Sequence, residues 1–133
     1  MSGALQADPR ILRSLRIVGD RCYASAHQAL EDGDFANAAR LFALLAAFAP
    51  GDVRGWAGLA VTKERTGRWR AAAGVHRAGA ALAREPAWCH FGLGRALKRL
   101  GRHAEAARAF DAAESATEDL VLLRAIEQER SAS

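Results

Sequence analysis

The 133-residue chain has only two cysteines and two lysines, and it lacks long apolar runs. No segment approaches the roughly 20 consecutive apolar residues that cross a membrane, so we expect no direct insertion into a bilayer. The first ten residues, MSGALQADPR, lack the basic and then apolar order of a secretory signal peptide. These absences predict a cytoplasmic protein.

Motifs for nucleotide, metal and catalytic chemistry are also missing. The sequence has no Gly-x-x-x-x-Gly-Lys-[Ser/Thr] loop, and the segment 92–94, Gly-Leu-Gly, lacks the third glycine of a dinucleotide site. The four histidines do not form the i, i+4 pairs of a helical metal site. No nucleophile, base and orienting group come together in any motif. We therefore predict no enzymatic activity, no catalytic residues, no cofactor and no metal site.

Four columns of residues recur with a spacing of 34 positions. They are Gly33, Gly67 and Gly101, then Phe35, Trp69 and His103, then Ala38, Ala72 and Ala106, and finally Phe42, His76 and Phe110. A 34-residue period with two helices in each unit is that of the tetratricopeptide repeat. The sequence therefore predicts an all-α solenoid of three helix-turn-helix repeats with a flanking helix at each end. Such scaffolds hold other polypeptides, which favours a binding protein.

The expected boundaries follow from the phase of the glycines. We predict a single domain over residues 1–133, with an N-terminal helix at 8–18, repeats at 19–52, 53–86 and 87–120, and a capping helix at 119–130. Asp8 followed by Pro9 is typical of a helix start. Each turn glycine is expected in the left-handed conformation that ends a helix.

The N-terminal helix carries its own apolar stripe, formed by Ile11, Leu15 and Val18. An amphipathic helix buries such a stripe against a neighbour. We expect it to pack on the first repeat or on another molecule.

Cys22 and Cys89 lie in the first helices of different repeats, where small buried residues are usual, so we expect neither a disulfide nor a metal pair. The net charge is +4 and comes almost entirely from arginine. It favours an acidic partner, although arginine-rich coding would produce the same surplus. Basic residues surround the second and third turns, which would also suit nucleic acid. Arginines at repeat turns usually keep a solenoid soluble, so we predict no nucleic-acid partner.

The stretches 23–52, 55–67, 76–86 and 92–110, the last reading GLGRALKRLGRHAEAARAF, resemble the tetratricopeptide chaperones of bacterial type III secretion. The similarity is greatest to the class that escorts hydrophobic translocator proteins. It implies a bacterial cytoplasmic chaperone that keeps a secreted translocator, or another type III secretion protein, soluble and competent for export. In several members the N-terminal helix supports homodimers, which would give the stripe of Ile11, Leu15 and Val18 a function.

Three alternatives stay open beside the translocator chaperone. A needle-subunit chaperone and an export-apparatus chaperone of the same system are similar in size and repeat content. A general tetratricopeptide adaptor that assembles folded proteins would share the same repeat pattern.

The concave groove of such repeats is lined by the second, fifth, ninth and twelfth positions of each first helix. These positions are Asp20, Tyr23, His27 and Leu30, then Arg54, Ala57, Val61 and Glu64, then Trp88, Phe91, Arg95 and Lys98. We predict that this groove holds an extended apolar segment of the partner. Its aromatic residues would supply apolar anchors, and its cations would bind backbone carbonyls or carboxylates of the partner.

Overall fold

The structure, a computed structural model, describes residues 8–132. Within this range it consists of seven α-helices, which confirms the predicted all-α architecture. They are α1 (Pro9–Glu31), α2 (Phe35–Phe48), α3 (Val53–Arg65), α4 (Trp69–Leu82), α5 (Ala87–Arg99), α6 (His103–Ser115) and α7 (Leu120–Ser131).

The first helix differs from the expectation. The helix predicted at 8–18 and the first helix of the first repeat form one continuous α1. Only Gly19 separates the two parts, and a single glycine costs a helix about 1 kcal/mol, too little to end it. Asp8 caps α1 by accepting a hydrogen bond from the backbone N–H of Arg10 at 2.8 Å. The segment 9–18 therefore extends as a rigid arm beyond the first repeat.

The helices form two layers. The odd-numbered helices α1, α3, α5 and α7 contact one another in succession along the stack. Among the described residues, α2, α4 and α6 pack mainly against the helices directly before and after them in the chain, and an ion pair between Arg77 and Glu105 at 3.9 Å links α4 to α6. The odd-numbered helices are therefore the closely spaced inner layer of a curved stack, and the even-numbered helices spread along its outer side.

Glycine closes each of the three tight turns within the repeats. Gly33, Gly67 and Gly101 have φ values of 76°, 75° and 78°, as the sequence predicts. Side chains with a Cβ rarely adopt this conformation. The 34-residue period thus marks the points where each inner helix turns into its outer partner.

The last helix continues the same period. Val121 of α7 lies 34 residues after Ala87, the first residue of α5. Leu122 and Ile126 of α7 are buried in one apolar cluster with Phe110 of α6. α7 is therefore a fourth inner-layer helix that covers the open side of the third repeat.

Ring side chains at a single repeat position fill the space between neighbouring repeats. Phe42, His76 and Phe110 are all buried. Gly58 lies against the ring of Phe42 and Gly92 against the ring of His76, so closely that an added Cβ would collide with the ring. These two glycines let each inner helix approach the ring of the repeat before it.

Candidate binding surface on the inner layer

A polar cluster joins α1 to α3 at the start of the inner layer. The guanidinium of Arg54 donates from Nη2 to Oδ1 of Asp20 at 3.0 Å and to Oδ2 of Asp52 at 2.8 Å. The same guanidinium lies over the ring of Tyr23, 4.8 Å from its centroid. The hydrogen bond from Arg54 lowers the pKa of Asp52 below its ordinary value, and this carboxylate raises the pKa of Arg54 in return. The guanidinium of Arg54 therefore forms its hydrogen bonds and its aromatic contact within the chain.

The aromatic residues of α1 form a compact group. Tyr23 stacks on His27 with 5.9 Å between ring centroids, and it tilts against the buried ring of Phe42 at 6.3 Å. His27 lies 3.0 Å from the carboxylate of Glu31. Tyr23 is half-buried and His27 is exposed, so this group presents one edge to solvent.

The largest exposed aromatic residue of the inner layer is Trp88 on α5. Its exposed fraction is 42%, and its ring meets Phe91 edge-on at 5.9 Å. Ala57 and Val61 of the neighbouring α3 are half-buried. An exposed indole packed on a second aromatic ring offers a surface on which an apolar segment can pack.

Two predicted groove residues lie in the interior instead. Leu30 and Phe91 are only 7% and 8% exposed. Leu30 belongs to a core cluster with Phe42, and Phe91 packs against Phe110 with 6.1 Å between centroids. Their side chains turn toward the outer helix of their own repeat, where more apolar contact is available.

Glu64 also directs its side chain away from solvent. Its side chain is 7% exposed and lies 3.0 Å from Nε2 of His76, which is itself 4% exposed. A histidine in a column otherwise filled by phenylalanine brings a buried polar ring, and a buried polar atom needs a partner. Glu64 supplies that partner for Nε2, while Nδ1 of His76 has none among the described residues. The periodicity placed Glu64 on the groove, but the histidine at position 76 draws it inward.

Arg95 and Lys98, the two cations of α5 in the predicted groove, are also engaged, by a helix that the groove prediction did not include. Lys98 Nζ donates to the backbone carbonyls of Glu129 and Ala132 at 2.5 and 2.7 Å. Arg95 Nε lies 3.6 Å from the carboxylate of Glu129. The signal for these contacts is in the sequence, because Glu129 follows Arg95 by one 34-residue period.

The predicted stripe on α1 is uncovered. Ile11, Leu15 and Val18 are 57%, 49% and 53% exposed. Leu12 and Ile17 beside them are also exposed, so the apolar surface is wider than one stripe. Under it lies a cavity of about 470 Å³ between α1 and the end of α2. The segment 9–18 therefore presents an apolar face with no covering element among the described residues.

The two cysteines are free, and their environments differ. Cys22 is half-buried and donates its S–H to the carbonyl of Leu41 at 3.2 Å. Cys89 is fully buried, and burial raises the pKa of its thiol to about 11. Over residues 8–132 there is no group of three or more His, Cys, Asp or Glu side chains placed to hold a metal ion. In the same range, each helix is too short or too polar to span a bilayer.

No protein-family model matches the chain, and no curated protein sequence matches it. Solved structures do. The type III secretion chaperone SycD of Yersinia enterocolitica, solved with a peptide of the translocator YopD, aligns over 84% of this chain and 94% of its own, with a TM-score of 0.68 and 20% identity. SycD as an alternative dimer aligns over 86% and 95%, with a TM-score of 0.68 and 19% identity.

A third similar structure is the N-terminal domain of stress-induced protein-1 from C. elegans. It aligns over 86% of this chain and 95% of its own, with a TM-score of 0.71 and 13% identity. These similarities confirm the tetratricopeptide fold, and they confirm the predicted resemblance to the translocator chaperones at the level of the fold.

Proposed function

We propose that the chain is a chaperone for a type III secretion substrate, a translocator, and that it binds an extended apolar segment of this client on its inner layer. The carrying observation is the exposed indole of Trp88 on the inner helix α5. SycD, which has the same fold, was solved with a translocator peptide.

The surface around Trp88 suits reversible binding. Phe91 supports the indole from the interior, so the ring is held rigid before a client arrives. A rigid aromatic anchor gives contact area at low entropic cost, and a few such anchors dominate the energy of an interface. The rest of the inner surface is polar or already partly buried within the chain, so it adds little apolar contact with a client. The affinity for the client therefore stays moderate, as release before export requires.

The test is copurification of the tagged protein from secretion-competent bacteria, with bound proteins identified by mass spectrometry. Trp88→Glu should abolish recovery of a translocator, since it places a charge where the apolar segment packs. Leu82→Glu is the matched control, because Leu82 is similarly exposed but lies at the end of the outer helix α4. Circular dichroism should show both variants fully helical.

The outcomes separate the alternatives. A needle subunit or an export-apparatus protein that is lost in the Trp88 variant would move the function to a sister class of chaperone. Recovery of folded cytosolic proteins alone would indicate a general adaptor and overturn the chaperone function. Equal recovery by wild type and Trp88→Glu would place the binding surface elsewhere.

A second copy of the chain is the proposed partner of the segment 9–18. Ile11, Leu15 and Val18 expose about half of their surface, and SycD has been solved as a dimer. Leu15→Glu should convert a dimer to a monomer in light scattering after size exclusion. A wild-type protein that is monomeric at high concentration would exclude this partner.

A further inference from the structure

A cavity of about 460 Å³ lies at the end of the inner layer, where α5, α7 and the starts of α4 and α6 meet. Its lining residues are Trp69, Arg95, Lys98, Arg99, His103 and Glu129. Three of these side chains are cations and one is a carboxylate. The lining therefore carries an excess of two positive charges with neutral histidine.

The single carboxylate is held loosely between two of the cations. Arg95 Nε and Lys98 Nζ each lie 3.6 Å from an oxygen of Glu129, which is longer than a charge-assisted hydrogen bond. Lys98 directs its hydrogen bonds to the backbone carbonyls at the end of α7 instead. Glu129 thus neutralises part of the charge without saturating the donors.

Arg99 adds a cation that no carboxylate of the described residues neutralises. Its guanidinium stacks on the ring of Trp69, with 4.9 Å to the centroid, and it forms no ion pair within residues 8–132. Stacking fixes the plane of the guanidinium while leaving its edge donors open. Such a planar fork binds carboxylates with two parallel hydrogen bonds.

We propose that this cavity binds a carboxylate of an acidic side chain in a polypeptide lying on the inner layer, and that Glu129 is a resident anion which this carboxylate displaces. Arg95 and Arg99 would supply the donors to the incoming group. Lys98 stays on the end of α7 and keeps the cavity wall in place. This site rests on the proposed function only for the identity of the polypeptide that carries the carboxylate.

Two features favour a polypeptide over nucleic acid. The cavity continues the inner surface, because Arg95 also lies over the ring of Phe91, 5.8 Å from its centroid, beside Trp88. A phosphate backbone needs a row of cations along its length, whereas these cations line one open cavity that already holds a carboxylate. A segment anchored at Trp88 would therefore reach the cavity with a nearby acidic residue.

The test uses fluorescence anisotropy with a labelled peptide that contains three consecutive glutamates, and with the same peptide in which glutamines replace them. Glu129→Gln should raise the affinity for the glutamate peptide about threefold or more, since it removes the competing anion. Arg95→Gln and Arg99→Gln should each lower it about five- to tenfold by removing charge-assisted hydrogen bonds. The glutamine peptide should respond to none of these changes.

Arg108→Gln is the matched control, because Arg108 is exposed on the outer helix α6 and lies outside the cavity. It removes the same charge and should leave the affinity unchanged. An equal loss in Arg108→Gln would overturn the site, since binding would then follow net charge alone. Equal competition by inorganic phosphate and by acetate, at matched ionic strength, would overturn the carboxylate preference.

The result of the peptide assay does not depend on the result of the copurification. The peptide assay can succeed when no secretion substrate is recovered, and a client can be lost in Trp88→Glu when the cavity binds no glutamate peptide. Circular dichroism and thermal unfolding of each variant test whether it remains helical and unfolds cooperatively. If Arg99→Gln unfolds, Arg95→Gln and Glu129→Gln, with opposite expected signs, still decide.

Discussion

At the C-terminal end of the stack, α7 buries Leu122 and Ile126 against the third repeat. At the N-terminal end, α1 leaves Ile11, Leu15 and Val18 about half exposed. Both helices carry an apolar stripe at helical spacing. They differ in whether the described part of the chain provides a neighbour for that stripe.

The buried core also differs between the C-terminal and N-terminal ends of the stack. One cluster of twelve buried residues extends from α4 to α7, whereas the cluster between α1 and α2 contains four. Because each repeat is stabilised by its neighbours, α7 secures the third repeat. Before residue 19, α1 extends past the first repeat, and its apolar side chains there are exposed within residues 8–132. Within residues 8–132, the apolar stripe in the register of the repeat is thus buried, and the one outside the register is exposed.

The largest expected effect separates the covered end from the uncovered end. Phe110→Ala should lower the free energy of unfolding by about 3–5 kcal/mol, because it leaves a cavity in the larger cluster. Leu15→Ala should change the free energy of unfolding of the isolated chain by less than about 0.5 kcal/mol, since its side chain is half exposed. Urea unfolding followed by circular dichroism measures both.

Protein concentration is the control for this pair. If α1 packs on a second copy, the cost of Leu15→Ala should grow as the wild type dimerises at higher concentration. A loss of several kcal/mol in Leu15→Ala at the lowest concentration would contradict the distinction between the two ends.

The next largest expected effect on stability comes from glycines at which neighbouring repeats pack closely against each other. Gly92→Ala should cost about 1–3 kcal/mol, because the added methyl group would collide with the buried ring of His76. Gly74→Ala is the matched control, since nothing lies within 4 Å of an added Cβ on that exposed face of α4. It should stabilise the chain by about 0.5–1 kcal/mol through helix propensity. Equal effects at the two positions would show that His76 can move aside.

The repeat architecture could be predicted because its signals are local and recur. Three glycines at one spacing fix the turns, and the columns around them fix which helix is inner and which is outer. The continuous α1 could not be read in this way. A glycine at the junction favours a break in the helix. The free-energy cost of one glycine inside a helix is small, however, so the helix can continue through Gly19.

The side-chain directions on the inner surface were less predictable, because they depend on neighbouring residues as well as on the register of the repeat. Glu64 has the repeat position of Leu30 and Lys98, yet it turns inward toward His76. The contacts of Lys98 and Arg95 with α7 arise because α7 continues the period, which its weak sequence match to the earlier repeats conceals. Register gives the helix face, and the partner of each polar group decides its final direction.

A smaller effect tests how the N-terminal end is fastened. Arg54 bonds to Asp20 of α1 and to Asp52, so a polar cluster joins α1 to the second repeat. The folded-state pKa of Asp52 is lowered by the hydrogen bond from Arg54, so its contribution is present above the unfolded pKa of about 3.9. That contribution is lost as the pH falls through the folded pKa.

Asp52→Asn should therefore cost about 1 kcal/mol at pH 7 and progressively less below about pH 4. Asp32→Asn, at an exposed position after α1, should cost less than about 0.5 kcal/mol. Urea unfolding at pH 7 and at pH 3 gives the comparison. A cost of Asp52→Asn that does not shrink at pH 3 would show that the ion pair with Arg54 does not hold this junction.

The last comparison concerns the reactivity of the two thiols, one at each end of the stack. Burial raises the pKa of both thiols, to about 11 at Cys89. Cys22 lies at the uncovered end and is only half-buried, whereas Cys89 is fully buried in the covered half. Because the thiolate is the reactive form, Cys22 should react with a disulfide reagent at pH 8 in the folded protein. Cys89 should react only through unfolding.

In Cys22→Ser the remaining thiol should therefore react at the unfolding rate, and in Cys89→Ser it should react faster. Equal rates in the two variants would mean that the covered half opens as readily as the uncovered one.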